Sequence, residues 1–227
     1  MDVLVATSWR TTHPDARVGV LVLRNVVNPT QHDGLDARRA AVEEELRARF
    51  AGQTRAALQA LDPVRAYAAF YKPFGKTYHV LLQLESVALK GKPLESASAL
   101  LTAMFMAEVR TQLLTAGHDL DAVVPPLTVA AARGGETYVR ITGQPQALKG
   151  DDLYMADARG IISSVIYGPD ERTRITPATR HAMFVTYAPK GVGEGVVRRH
   201  LEELEASVRV VAPGATREIL GIWGGPA

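Results

Sequence analysis

The segment from Ser96 to Leu114 constrains the fold more than any other. Its first three turns are apolar almost all round, with Ala97, Leu100, Leu101, Ala103, Met104, Phe105 and Ala107. A helix without a polar face must be covered on several sides. The rest of the chain therefore has to supply layers around this helix. Gly91-Lys92-Pro93 breaks the chain ahead of it, and His118-Asp119-Leu120-Asp121 gives it an acidic exit. Ser98 and Thr102 are four apart and share one helical face. Such hydroxyls either bond back to helix carbonyls or line a polar pocket, and both readings stay open.

The covering layers are legible on both sides. Val18 to Val27 is a valine-rich apolar run that reads as a buried strand, stopped by Asn28-Pro29. The periodicity predicts a helix from Asp36 to Phe50, a short one from Ala56 to Leu61, one opened by Asp62-Pro63, and one from Val80 to Leu89. Leu127 to Ala132 and Thr137 to Ile141 flank Gly134-Gly135-Glu136 and read as a hairpin. Asp152 to Asp157 and Gly160 to Tyr167 read as a second hairpin around Ala158-Arg159. His181 to Tyr187 and Thr216 to Trp223 read as strands on either side of an amphipathic helix from Val196 to Val208. Helices gather early and hairpins late, so the expected class is α+β, with a mixed, mostly antiparallel sheet and packed helices.

With 227 residues, the chain is expected to form a single domain over 1–227, or a small N-terminal lobe at 1–75 against a core at 76–222. Apolar residues at 47% and charged residues at 22% exclude a disordered chain. A net charge of +2, from 26 basic and 24 acidic side chains, excludes a protein that coats nucleic acid, so RNA contact needs a local basic patch. Without cysteine there is no disulfide, thiolate metal site or cysteine nucleophile. The start MDVLVATSWR lacks a basic stretch followed by a long apolar one, and Ala97 to Ala107 is too short to span a bilayer. The expected location is the cytoplasm, with no membrane partner.

Four constellations bear on chemistry. Lys72-Pro73-Phe74-Gly75-Lys76 sets two cations beside aromatics, either to stack on and neutralise a nucleotide or as an ordinary helix end. Gly191-x-Gly193-x-Gly195 before a helix is one residue short of the dinucleotide fingerprint and reads as a flexible turn. His118-Asp119-Leu120-Asp121 offers an imidazole and two carboxylates, but without a second ligand pair Asp119 or Asp121 reads as the cap of a short turn. No metal or other cofactor is expected. Gly168-Pro169-Asp170-Glu171-Arg172-Thr173-Arg174 combines carboxylates, a hydroxyl and two arginines. Arginines at i and i+2 of an extended segment point the same way and suit phosphates. A solvated loop with internal ion pairs is the alternative.

These stretches also carry a family resemblance. Lys92-Pro93-Leu94, a buried helix and then Asp119-Leu120-Asp121 resemble the editing module, domains three and four, of the phenylalanyl-tRNA synthetase beta subunit. Glu171-Arg172-Thr173-Arg174-Ile175-Thr176, followed by Thr179, is similar to free-standing relatives of that module. Arg17 to Asn28, Tyr67 to Gly91, Gly134 to Gly143 and Gly195 to Val208 extend the likeness over nearly the whole chain.

The resemblance implies hydrolysis, in trans, of the ester of a wrong amino acid on tRNA, DNA playing no part. It implies a pocket between the Ser98–Phe105 helix and the Tyr167–Thr173 loop. Glu171 and His118 are the candidate catalytic residues. Ser98, Thr102, Tyr167, Gly168, Asp170 and Thr173 are the candidate substrate contacts, and Lys72, Lys76, Arg172 and Arg174 the candidate tRNA contacts. Free-standing relatives carry Asn, Asp and Asn where this chain has Ser98, Thr102 and Phe105. The family's histidine falls at Ala116, with His118 two residues later. A non-catalytic tRNA- or amino-acid-binding module is the alternative reading.

Overall fold

A computed structural model describes residues 2–225. The chain begins with strand β1 (Val3–Val5), helix α1 (Thr7–Thr12) and strand β2 (Arg17–Arg24). Helices α2 (Asp33–Arg49), α3 (Arg55–Gln59), α4 (Asp62–Tyr71), α5 (His79–Ala88) and α6 (Ala99–Thr111) follow. Eight strands come next: β3 (Thr115–Asp119), β4 (Leu127–Ala131), β5 (Thr137–Val139), β6 (Pro145–Ala147), β7 (Leu153–Asp157), β8 (Gly160–Ser164), β9 (Gly168–Pro169) and β10 (His181–Ala188). Helix α7 (Glu194–Val211) and strand β11 (Thr216–Gly224) close the order. The architecture is α+β, and its sheets are antiparallel except where β1 runs parallel to β4.

One sheet has the order β11-β2-β10-β3. β2 is its anchor because its residues 18–23 are all buried, as the unbroken apolar run requires. Helix α7 lies on this strand through Val197 and Leu201. A Cβ at Gly19 would sit 2.5 Å from Val197 Cγ1 and 3.0 Å from Leu201 Cδ1, so glycine is what lets the helix approach. The second sheet has the order β1-β4-β7-β8-β9, and β5 pairs with β6 alone. One apolar cluster runs from Val3 to Ala215 and includes residues on both sides of position 75.

Helix α6 is covered as its composition demands, by α2, α5, α7 and β3. Leu100, Ala103, Met106 and Ala107 are fully buried, while Leu101 and Phe105 are only half-buried. Its N-terminus is held from a distance. Asn28 Oδ1 accepts from the Leu100 N–H at 2.9 Å, and Asn28 Nδ2 donates to Thr176 O at 2.8 Å. β2 ends before the apolar run does, at Arg24 where Asn25 takes φ 58°, and Asn28 beyond it caps the central helix.

Two expectations change. The central helix ends at Thr111, because Gln112 takes a left-handed conformation at φ 58° and its Nε2 donates to the carbonyls of Val109 and Arg110. The freed residues form β3, whose Met183↔His118 pairing attaches it to β10. The Gly134-Gly135-Glu136 turn does not join a hairpin. Both edges of β4 are occupied, by β1 and β7, so residues 137–139 pair with β6 instead. Glu136 locks that turn by accepting from the N–H groups of Arg133 and Gly134 at 2.7 and 2.9 Å. The hairpin around Ala158-Arg159 forms as expected, between β7 and β8.

Candidate functional site

A cavity of about 450 Å³ opens between α6 and the segment that follows β8. One wall is Leu101, Met104, Phe105 and Glu108, spaced so that one helical face supplies all four. The half-exposure of Leu101 and Phe105, on an otherwise buried helix, is the cavity's signature. The opposite wall is Ser164 to Pro169, with Ile175 beside it. Gly117 of β3 also lines the cavity. Its missing Cβ would lie 2.6 Å from Ile175 Cδ1 and 3.3 Å from Met104 Sδ.

The Ser164–Pro169 wall is held rigidly. Ser164 Oγ donates to Asp152 Oδ2 at 2.7 Å, and the Ile166 N–H donates to Asp152 Oδ1 at 3.3 Å. Tyr71 OH donates to Val165 O at 2.8 Å, and Tyr138 OH donates to Gly168 O at 2.7 Å. Gly168 sits at φ +82°, a conformation few L-residues adopt. Burial pushes the Asp152 carboxyl up to about 7.

Glu108 is a group that the sequence pattern does not mark. It lines the cavity yet is 1% exposed. Its Oε1 accepts from the Thr115 N–H at 2.7 Å. That is the carboxyl's only hydrogen bond among the described residues. Burial pushes its pKa up to about 8, against the opposing effect of the Thr115 bond. A carboxyl that changes charge near neutral pH inside a cavity is characteristic of binding and catalytic sites.

The sequence-predicted residues fall in five places. Tyr167 and Gly168 line the cavity. Ser98 and Thr102 do not. Thr102 Oγ1 donates back to Ser98 O at 3.0 Å and meets Ser96 Oγ, so the back-bonded alternative holds at this pair.

Asp170, Thr173 and His118 come together in one buried chain. Thr173 Oγ1 donates to Asp170 Oδ1, so it accepts from His118 Nδ1, 2.7 Å away. His118 Nε2 then accepts from Ser163 Oγ at 3.2 Å, and Ser163 Oγ lies 2.6 Å from Tyr187 OH. Burial, and then the charge of Arg172, drive the His118 pKa down to about 3. The imidazole is fully buried, neutral and hydrogen-bonded at both nitrogens.

Glu171, Arg172 and Arg174 line a second cleft of about 650 Å³. Asp119, Arg159 and Asp170, among others, line it as well. Arg172 does not project freely beside Arg174 as an extended segment predicts. Its Nη1 donates to Ala122 O at 2.6 Å, its Nη2 to Asp157 Oδ1 at 2.9 Å, and its Nε lies 3.7 Å from Asp170 Oδ2. Burial alone would raise the Asp157 carboxyl, but the Val124 and Arg159 N–H groups and Arg172 hold it below the usual range. Arg174 Nη1 pairs with Glu171 Oε1 at 3.2 Å, with both side chains about half exposed.

Asp119 caps a 3-10 turn at Leu120–Ala122, as the sequence suggests. Its Oδ1 accepts from the Asp121 N–H at 3.1 Å, and its Oδ2 accepts from Thr179 Oγ1 at 2.7 Å. Lys72 and Lys76 are exposed around the 3-10 turn Lys72–Phe74, and neither lines the cavity or the cleft. No helix among the described residues is long and apolar enough to cross a membrane.

No protein-family model matches the chain, and no curated protein matches it by sequence. Among solved structures, it is similar to an N-terminal fragment of the phenylalanyl-tRNA synthetase beta subunit from Pyrococcus horikoshii. The match has 11% identity and a TM-score of 0.48, covering 95% of this chain and 49% of that one. The chain thus spans about half the length of that fragment.

Proposed function

We propose that this protein recognises the aminoacyl end of a charged tRNA and hydrolyses its ester in trans. The observation that carries the reading is the cavity between α6 and the Ser164–Pro169 wall, mostly apolar but with Glu108 buried in it. An apolar site with a few placed polar groups suits a small ligand with a side chain to bury. The motif resemblance at Lys92–Leu94, Asp119–Asp121 and Glu171–Thr179 supplies the substrate class. In this reading Tyr167 and Gly168 contact the amino acid, and the Arg174 cleft receives the tRNA backbone. Ester hydrolysis needs a positioned water and donors where charge develops, and no strong nucleophile.

The second reading is a binding module without chemistry. One observation favours it: Glu171 and His118, the two candidate catalytic groups, both lie outside the cavity lining. A panel of misacylated tRNAs separates the readings. Release of the amino acid from any member at a rate proportional to enzyme supports hydrolysis. Tight, aminoacyl-dependent binding without release supports the module. Equal binding of charged and uncharged tRNA removes both.

A further inference from the structure

Two buried polar atoms of the cavity lack protein partners, and a third group, Glu108, has one oxygen without a donor. Glu108 uses Oε1 on the Thr115 N–H, and among the described residues nothing donates to its Oε2. Gln83 Oε1, from α5, is buried without a hydrogen bond, and so is Arg140 Nε. All three residues line the same cavity. Orphaned buried groups are rare in native proteins because each forfeits its bond to water. Once Glu108 gives up its proton, Oε2 joins Gln83 Oε1 as a second vacant acceptor, and a carboxylate beside an amide oxygen calls for a cationic donor. The vacant donor calls for an oxygen. Leu101, Met104, Phe105 and Ile175 call for an apolar body between them.

We infer that the cavity selects an unblocked amino group. The ligand's primary ammonium is accepted by Glu108 Oε2 and Gln83 Oε1, a carbonyl oxygen of the same ligand accepts from Arg140, and its apolar side chain lies along α6. This rests on reading the cavity as the aminoacyl site, and adds what that reading leaves open: the protein engages free aminoacyl ends and rejects N-acylated ones. An acylated nitrogen carries no positive charge and brings fewer hydrogens to the two acceptors. Glu108 then stays protonated, or becomes a buried carboxylate with no cation close enough to lower its pKa. His79, the histidine of the lining, has its pKa lowered by desolvation, which favours its neutral form. Tyr187 spends its hydroxyl on Ser163, so neither substitutes for the cation.

The test is calorimetric titration at pH 7 with L-leucinamide, L-phenylalaninamide and their N-acetyl forms. Wild type and Glu108→Gln are compared, with thermal melts confirming that both are folded. Glutamine keeps the Thr115 bond and removes the charge. The free amides are expected to bind about tenfold to a hundredfold more tightly than the acetylated ones, the usual worth of a charge-assisted bond. Glu108→Gln is expected to erase that preference. Wild type is also expected to release protons on binding, read as a heat that varies with buffer ionisation.

Equal affinity for acetylated amides, no binding of either up to millimolar concentration, or a preference intact in Glu108→Gln each overturns the inference. If the glutamine variant does not fold, the wild-type comparison of free and acetylated amides decides by itself. The two readings fail separately. Amine-dependent amide binding without engagement of charged tRNA removes the tRNA function and keeps this site. Equal engagement of aminoacyl-tRNA and N-acetyl-aminoacyl-tRNA does the reverse.

Discussion

The imidazole of His118 donates from Nδ1 to Thr173 Oγ1 at 2.7 Å, joining β3 to a loop 55 residues later in the chain. Both residues are completely buried. The pair continues to Asp170 on one side and to Ser163 and Tyr187 on the other, so it ties β3, β8 and β10 to the 170–174 segment. Residues of that segment line the arginine cleft, and its neighbours Pro169 and Ile175 line the cavity. The chain of hydrogen bonds therefore positions both.

His118→Ala is expected to cost stability first. It leaves the hydroxyls of Thr173 and Ser163 without their ring partner and opens a void, at a cost of about 3 kcal/mol. Urea denaturation measures this. A variant as stable as wild type but unable to deacylate would instead make His118 a participant in the chemistry.

Stability should fall as pH rises above neutrality. Glu108 and Asp152 hold their protons to about 8 and about 7, against ordinary values of 4.5 and 3.8. Their contribution is complete below the ordinary values and is lost as pH climbs through the raised ones. His118 and His200 act oppositely. Burial drives both to about 3 from 6.5, so their contribution is complete above 6.5 and is lost as pH falls toward 3. Between about 4.5 and 6.5 the two trends offset one another; above 6.5 only the carboxyl trend remains. Melting temperatures are therefore expected to drop between pH 6.5 and 8, and Glu108→Gln to flatten that drop. An unchanged slope in the glutamine variant would place the titration elsewhere.

Much of this fold can be read from apolar spacing. The run at 18–23, residues 99–107 apart from Leu101 and Phe105, and the α7 stripe of Val197, Leu201, Leu204 and Val208 each find the burial they call for, whereas Val27 and Ala97 stay exposed. β3 cannot be read so. Its start depends on Gln112 adopting a conformation that glycine usually marks, and Leu113-Leu114 continues the helical apolarity without a break. A cavity does lie between α6 and the Tyr167 loop, where the sequence leads one to expect a pocket, but its polar groups are not legible. Glu108 has Arg110 two residues on and looks like an ordinary surface acid; only the fold shows it inside a cavity. Arg172 looks free in the sequence because its partners Ala122 and Asp157 lie 50 and 15 residues away. Nothing local announces such contacts.

Adjacent leucines on α6 are expected to behave differently. Leu100 is fully buried, whereas Leu101 is half-buried against the cavity. Leu100→Asp buries an unpaired carboxylate in the core and is expected to abolish soluble expression. Leu101→Asp has the open cavity to point into, so it is expected to give a folded protein that no longer binds apolar amino-acid amides. Circular dichroism and titration of both variants check the pair. Loss of folding in Leu101→Asp as well would mean that the cavity closes in solution.

The arginine cleft gives the last prediction, which concerns tRNA directly. Arg174 is the exposed cation of the pair, and Glu171 holds it at 3.2 Å. Exposed pairs of this kind contribute little to stability, at most about 1 kcal/mol. Glu171→Ala is therefore expected to leave the melting temperature nearly unchanged. It also releases a guanidinium into the cleft, where phosphate is the proposed ligand. Affinity for tRNA should rise in Glu171→Ala and fall in Arg174→Ala. Plots of log affinity against log salt should shift in step, since each phosphate neutralised adds about −0.7 to −0.9 to the slope. Arg172→Ala is a separate case. It removes the brace on Asp157 and Ala122, so it should lower the melting temperature as well as affinity. Filter binding of bulk tRNA at several salt concentrations, with melts alongside, reads all three. Weaker binding by Glu171→Ala would show that the carboxylate itself meets the substrate, as the motif resemblance implies. A salt slope near zero for every variant would remove the cleft from any account of tRNA binding.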